Sequence, residues 1–262
     1  MSTLAFPQTP QQRRAFAKLL STEIKLTMRR PRGLIVSLGV PFVLLVIFGS
    51  IPATTRPTAA LGGISFFDTY VPTLLLFVLS AVALVVLPQQ LATYRQQGVL
   101  RRMSTTPVPP LWLLAAQLTV NLGMAALGIA LLLGAGAGAF GLTLPDSIGG
   151  YLVFLLALVL TAAATLGLGL CVAAVVSSPQ VAAGISGVMF YLLAFFSGLW
   201  VPLQEIHSHL VTTISKILPT GVGYTAVHDA FSGHSPGAEP LLVLAAWAVG
   251  CCLLAARVFR WE

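Results

Sequence analysis

Long apolar stretches free of charged residues dominate the pattern along this 262-residue chain. A helix of about 20 apolar residues crosses the roughly 30 Å of bilayer hydrocarbon. Two of the stretches approach 30 residues, so we expect those helices to tilt or to project beyond the bilayer. The pattern predicts an all-α membrane protein with six transmembrane helices, at residues 33–51, 70–90, 111–140, 148–176, 180–201 and 240–256.

The first 32 residues have a different pattern, in which apolar residues recur at intervals of three and four. Basic residues occupy the other faces of the same helical wheel. This periodicity predicts an amphipathic helix that lies on an anionic membrane surface, and the alternative is a solvated basic tail. No apolar run with a small-residue cleavage site occurs here, so we expect no removable signal peptide. The apolar positions are Phe16, Leu19, Leu20, Ile24 and Met28.

Composition excludes a soluble globular protein. Hydrophobic residues make up 57% of the chain and charged residues only 8%, against roughly 25% charged residues in soluble domains. The 14 Lys and Arg exceed the 7 Asp and Glu, but most of them flank the apolar spans. We therefore interpret the positive charge as a determinant of topology and expect no nucleic-acid partner. The cysteines all lie in apolar stretches, which argues against disulfides and a zinc site.

The distribution of Lys and Arg predicts the orientation. Twelve of the 14 lie on one side, in the amino-terminal segment, the loop after the second span and the carboxyl-terminal tail, whereas Arg56 and Lys216 lie on the other side. The positive-inside rule then places both termini in the cytoplasm. The prediction is a multi-pass protein of the cell membrane, with a cytoplasmic amphipathic segment at 1–32 and one six-span domain at 33–262.

The last external loop contains a further amphipathic pattern that is too short to span the membrane. It predicts a helix that lies at the outer interface or dips into it, and an ordinary surface helix packed on the bundle is the alternative. The apolar positions are Leu203, Ile206, Leu210, Ile214 and Ile217.

Several mechanisms lack the residues they need. The span interiors contain no ionisable residue, which argues against an ion-coupled secondary transporter. None of the three lysines follows a glycine, so the chain has no phosphate-binding loop and any nucleotide must bind to another polypeptide. A Gly-x-Ser-Gly pattern at 184–187 resembles that of intramembrane proteases, but all four histidines lie in the last external loop. We therefore predict no catalytic residues and no metal site.

The loop at 91–112 combines apolar and basic residues. Val99, Leu100 and Met103 stand beside Arg101 and Arg102. The following Thr-Thr-Pro ends any helix, because a residue before proline disfavours the helical conformation. We predict a short amphipathic helix that docks in a groove of a cytoplasmic protein. The alternative is a basic loop that serves topology alone.

This loop resembles the corresponding loop of the permease subunits of type-2 ATP-binding-cassette transporters, the drug- and polysaccharide-export family. The pattern there is G-[TV]-L-x-R-[LM]-x-x-T-P, and family members often carry an acidic residue just before the glycine, where this chain has Gln96 and Gln97. Similar motifs occur at residues 196–202 and 218–221. The loop pattern is matched by Gly98, Val99, Leu100, Arg102, Met103, Thr106 and Pro107.

The resemblance implies that two permeases, either two copies of this chain or this chain and a related permease, form the pathway. Two separate ATPase subunits would hold ATP and Mg²⁺ and push on the loop helices, so this chain itself is expected to carry no cofactor. The implied ATPase-coupling residues are those of the loop pattern together with Arg101. A substrate path between the second and fifth spans is also implied, with Phe77, Phe190, Tyr191, Phe195 and Phe196 as candidate lining residues.

The sequence therefore predicts the transmembrane subunit of an ATP-driven exporter. Because the spans offer no charge, we expect a hydrophobic or amphipathic cargo. A channel or membrane scaffold is the alternative, and an ion-coupled secondary transporter is a weaker one.

Overall fold

The computed structural model describes residues 10–29, 33, 35–58, 63–103, 109, 111–145, 147–200 and 208–258. It is 85% helical, with no strand among the described residues. In chain order the helices are α1 (Pro10–Arg29), α2 (Ile35–Ser50), α3 (Pro52–Thr55), α4 (Phe66–Gln96), α5 (Val99–Met103), α6 (Leu111–Phe140), α7 (Ile148–Val175), α8 (Pro179–Phe196), α9 (His209–Ser215), α10 (Pro219–Phe231) and α11 (Ala238–Val258).

In the described part of the chain, five helices are long and apolar enough to cross a membrane: α4, α6, α7, α8 and α11. The predicted first span corresponds to α2, an apolar helix that begins with a π-helical turn and is 16 residues long. At 1.5 Å per residue α2 extends about 24 Å, less than the hydrocarbon thickness. The multi-pass helical architecture is confirmed, and the count of six spans stays a prediction.

Helix α4 forms the centre of the bundle. Of its most apolar 18-residue stretch, 94% is buried, against 17–56% for the other four long helices. A π-helical turn at Ala81–Val86 interrupts α4 near its middle. Helix α7 packs directly against this turn, where a Cβ atom at Gly169 would overlap the carbonyl oxygen of Ala83. Only glycine permits so close an approach of the two backbones.

The two ends of the bundle differ in structure. The Gly98 end, as we call it, carries α1, α5 and the short connection at 176–178, and the opposite Gly141 end carries the connection at 141–147. Helix α10 is almost completely buried at the Gly141 end, where it contacts α4, α7 and α11. With 13 residues it is too short to span a bilayer.

The amphipathic pattern before α10 also lies at the Gly141 end. Leu210 of α9 is 76% exposed and Ile217 is 58% exposed, so neither side chain packs fully on the bundle. Helix α9 also contacts α8 and α10, so the alternative of a surface helix packed on the bundle stays a prediction. Placement at the outer membrane interface stays a prediction as well, and Leu203 and Ile206 lie outside the described residues.

The predicted amino-terminal helix is present as α1, which packs against α6. The face toward the protein coincides only in part with the predicted apolar face. Phe16, Leu19 and Leu20 are half-buried, and Phe16 packs edge-on against Trp112 of α6. Glu23 and Thr27 are buried, whereas Ile24 and Met28 are exposed. The exposed apolar side chains are therefore available to lipid, and a polar pair faces the bundle.

Candidate functional site at the Gly98 end

The turn after α4 requires a glycine. Gly98 adopts φ = +65°, a left-handed conformation in which other residues are strained. Its N–H donates to the carbonyl oxygen of Arg95 at 2.9 Å, and the N–H of Gln97 donates to that of Thr93 at 3.0 Å. These bonds close the last turn of α4 and reverse the chain into α5.

Helix α5 contains the centre of the predicted ATPase-coupling segment. Val99 and Met103, one helical turn apart, are both half-buried, and Arg102 is exposed. The Arg102 Nη2 donates to the carbonyl oxygen of Gln97 at 2.9 Å, which ties α5 to the turn. The side chains of Leu100 and Arg101, and residues Thr106 and Pro107, lie outside what the structure describes.

Arg95 of α4 forms hydrogen bonds with the carboxyl end of α7. Its Nη1 donates to the carbonyl oxygens of Ala173 at 2.8 Å, Ala174 at 3.2 Å and Val176 at 3.2 Å. The carboxyl end of a helix presents unpaired carbonyl groups and a partial negative charge, which a guanidinium satisfies. The sequence indicated only a topological role for Arg95. Arg95 lies four residues after Leu91 and three residues after Ala92, which are buried, so it shares their face of α4. This spacing was the available signal.

A buried polar cluster joins α1, α4 and α6. The Tyr94 hydroxyl donates to Glu23 Oε2 at 2.7 Å, and Gln117 Nε2 donates to the same oxygen. Asn121 Nδ2 donates to Gln90 Oε1 at 3.3 Å and to the Gln117 carbonyl oxygen at 2.8 Å. Burial raises the pKa of Glu23, and the hydrogen bond from Tyr94 opposes this rise.

Sequence reasoning missed this cluster, although the chain contains a signal for it. Gln90 and Tyr94 are four residues apart on α4, and Gln117 and Asn121 are four residues apart on α6. Residues at this spacing share one face of a helix. Two such polar pairs within otherwise apolar helices indicate helix-to-helix hydrogen bonding.

The candidate substrate-path aromatics fall into two groups. Phe77 and Phe190 are buried, with ring centroids 5.1 Å apart, and join α4 to α8. Tyr191 is 60% exposed and Phe195 is 36% exposed. Phe196 packs edge-on against Phe195. The structure therefore places Tyr191 and Phe195 on the outer face of the chain, with Phe196 half-buried beside them. The assignment of both groups to a pathway stays a prediction.

The sequence profile of the ABC-2 type transporter matches residues 14–231, which include α1, the Gly98 turn, the polar cluster and α10. The chain belongs to the ABC-2 type transporter family. No curated protein matches it. As an ABC-2 permease it is the transmembrane component of an ABC transporter and a multi-pass membrane protein. Permease domains of this family are not themselves catalytic and normally work with an ATPase subunit.

Proposed function

We propose that this permease exports a hydrophobic or amphipathic compound, driven by a separate ATPase that contacts α5. In this proposal both termini lie in the cytoplasm of a cell membrane, and two permeases, identical or related, enclose the pathway. ATP and Mg²⁺ bind to the ATPase alone. The observation that carries the proposal is the chain reversal at Gly98, which joins α5 directly to the most buried helix of the bundle.

The contacts at the Gly98 end support a mechanical role for α5. A force on α5 passes through the Gly98 turn into α4, and through Arg95 from α4 into α7. The polar cluster connects the same part of α4 to α1 and α6. Because interiors are close-packed, such a connected set of helices moves between discrete arrangements rather than deforming smoothly. Alternating access requires two such arrangements, biased by nucleotide and by cargo.

The direct test is copurification of the permease with its native ATPase, followed by ATP-dependent transport in proteoliposomes. We expect Leu100→Asp to reduce ATPase stimulation and transport at least about tenfold, since a carboxylate cannot occupy an apolar docking groove. Membrane insertion should be unchanged. Ser235→Asp is the control for an added carboxylate, because Ser235 is exposed between α10 and α11.

Two results would contradict the proposal. Full coupling in Leu100→Asp would remove α5 from the ATPase interface. Solute flux through the permease alone, without ATP or an ATPase, would favour a channel instead.

A further inference from the structure

A cavity of about 800 Å³ lies at the Gly98 end, between α1, α4, α5 and α6. This volume falls within the range of small-molecule sites. Its accessible lining surface is largely apolar, and polar residues of α1 and α4, among them Glu23 and Tyr94, supply the rest. The apolar lining residues include Leu19, Leu26, Val86, Leu113 and Met124.

Glu23 places one unpartnered carboxylate oxygen at this cavity. The side chain is only 4% exposed, and both of its hydrogen bonds end on Oε2. Among the described residues nothing donates to Oε1. No Lys, Arg or His of the described chain forms an ion pair with Glu23, and Arg29, which also lines the cavity, is exposed.

A buried carboxylate without a counter-ion is costly, so it binds a cation or takes up a proton. Neutral donors satisfy Oε2, which holds the group in place and leaves Oε1 available to a ligand. The described residues contain no group of three metal-ligating side chains, and a hard metal ion requires about six oxygen ligands. One carboxylate oxygen beside an apolar wall suits an organic cation better.

We propose that this cavity binds the ammonium group of an amphipathic amine, with Glu23 Oε1 as its counter-ion and the apolar wall around its hydrocarbon part. This inference names the cargo class and rests on the exporter function proposed above. Val99 and Met103 of α5 line the same cavity, so a bound amine touches the helix assigned to the ATPase. Binding of an amine would therefore affect the position of α5.

The experiment measures binding of dansylcadaverine, a fluorescent primary amine, to the full-length permease in phosphatidylglycerol nanodiscs. Fluorescence anisotropy should show saturable binding, and the N-acetylated, uncharged derivative should bind at least about tenfold more weakly. Glu23→Gln retains the size of the side chain and should lower the affinity for the amine by at least about tenfold. Glu239→Gln is the control, because Glu239 is exposed in the first turn of α11.

A pH titration of the wild type does not depend on the folding of a variant. Among the described residues, the titratable groups lining the cavity are Glu23 and Arg29 from α1 and Tyr94 from α4. Burial raises the pKa of Glu23. On acidification, amine binding should therefore be lost at a higher pH than the pH at which an exposed carboxylate becomes protonated. The neutral derivative should show no such dependence.

Equal affinity for the amine and its acetylated form, or unchanged binding in Glu23→Gln, would overturn the site. Displacement of the probe by added phosphatidylethanolamine would identify the ammonium group as that of a lipid and would support the site. The binding assay needs neither ATP nor an ATPase. A permease that binds the amine but shows no ATP-driven transport would therefore refute the exporter function while retaining the ammonium site.

Discussion

The contact of Arg95 with the end of α7 gives the strongest prediction about stability. Arg95→Met removes a guanidinium that serves three carbonyl oxygens and leaves those carbonyls without their donor. Hydrogen bonds from charged donors contribute about 1.5–3 kcal/mol, and a cation at a helix carboxyl end contributes up to about 2 kcal/mol. Because these two contributions describe the same contact, they are not added. We expect Arg95→Met to lower the free energy of unfolding by about 2 kcal/mol.

The measurement is thermal unfolding of the purified permease in detergent. For chains of this size 1 kcal/mol corresponds to about 2–4 °C, so Arg95→Met should lower Tm by about 4–8 °C. Arg95→Lys retains the charge but not the planar fork, and should fall between wild type and Arg95→Met. Lys25→Met is the control for loss of one positive charge, since Lys25 is exposed on α1.

The reasoning would be refuted if Arg95→Met unfolded at the same temperature as Lys25→Met. Equal loss in Arg95→Met and Arg95→Lys would show that the shape of the guanidinium, rather than its charge, provides the stabilisation.

Two further predictions concern the turn at Gly98 and the helix α10. Gly98→Ala should lower the free energy of unfolding by about 1–2 kcal/mol, because its left-handed conformation strains any residue other than glycine. Gly123→Ala, inside α6 with open space around it, should leave Tm unchanged or raise it. A similar loss of stability in both variants would argue against backbone strain. Burial lowers the pKa of His228, and Asp229 opposes this effect, so the folded protein resists protonation and stability should fall as pH drops below about 6.5. His228→Asn should remove that part of the pH dependence of Tm, and an identical profile in the variant would exclude His228 as its source.

Much of the helical architecture could be predicted from hydrophobicity because long apolar stretches have few alternatives in a bilayer. Helix α6 occupies the predicted span 111–140, and α7 begins at the predicted residue, Ile148, where Ser147 Oγ accepts the N–H of Gly150 at 3.0 Å. The length of α4 was underestimated, because Gln90 and Arg95 resemble the polar end of a span in the sequence. Their side chains are satisfied by neighbouring helices, so the helix continues to Gln96.

The site at the Gly98 end was predictable only in part. The Gly98 motif and the short helix after it follow from local sequence, since a glycine before an amphipathic turn needs no tertiary information. The burial of Glu23 does not, because a periodicity analysis assigns every carboxylate to the solvent face. Helix α10 escaped prediction for a related reason: its Gly, Thr and His residues lower its hydropathy, and it is buried by neighbours rather than by lipid.

The π-helical turn of α4 contains about one residue more than an α-helical turn. It therefore sets the angle between the side chains of the first half of the helix and those of the second half. Tyr70, whose hydroxyl donates to the carbonyl oxygen of Leu199 at 2.8 Å, precedes this turn, and Tyr94 and Arg95 follow it. Each residue advances an α-helix by about 100°. Conversion of 81–86 to regular α-helix, with no residue deleted, would therefore rotate the second half by about that angle relative to the first. The aromatic anchor and the guanidinium could then not reach their partners together. The wider turn sets the phase between the two ends of the protein.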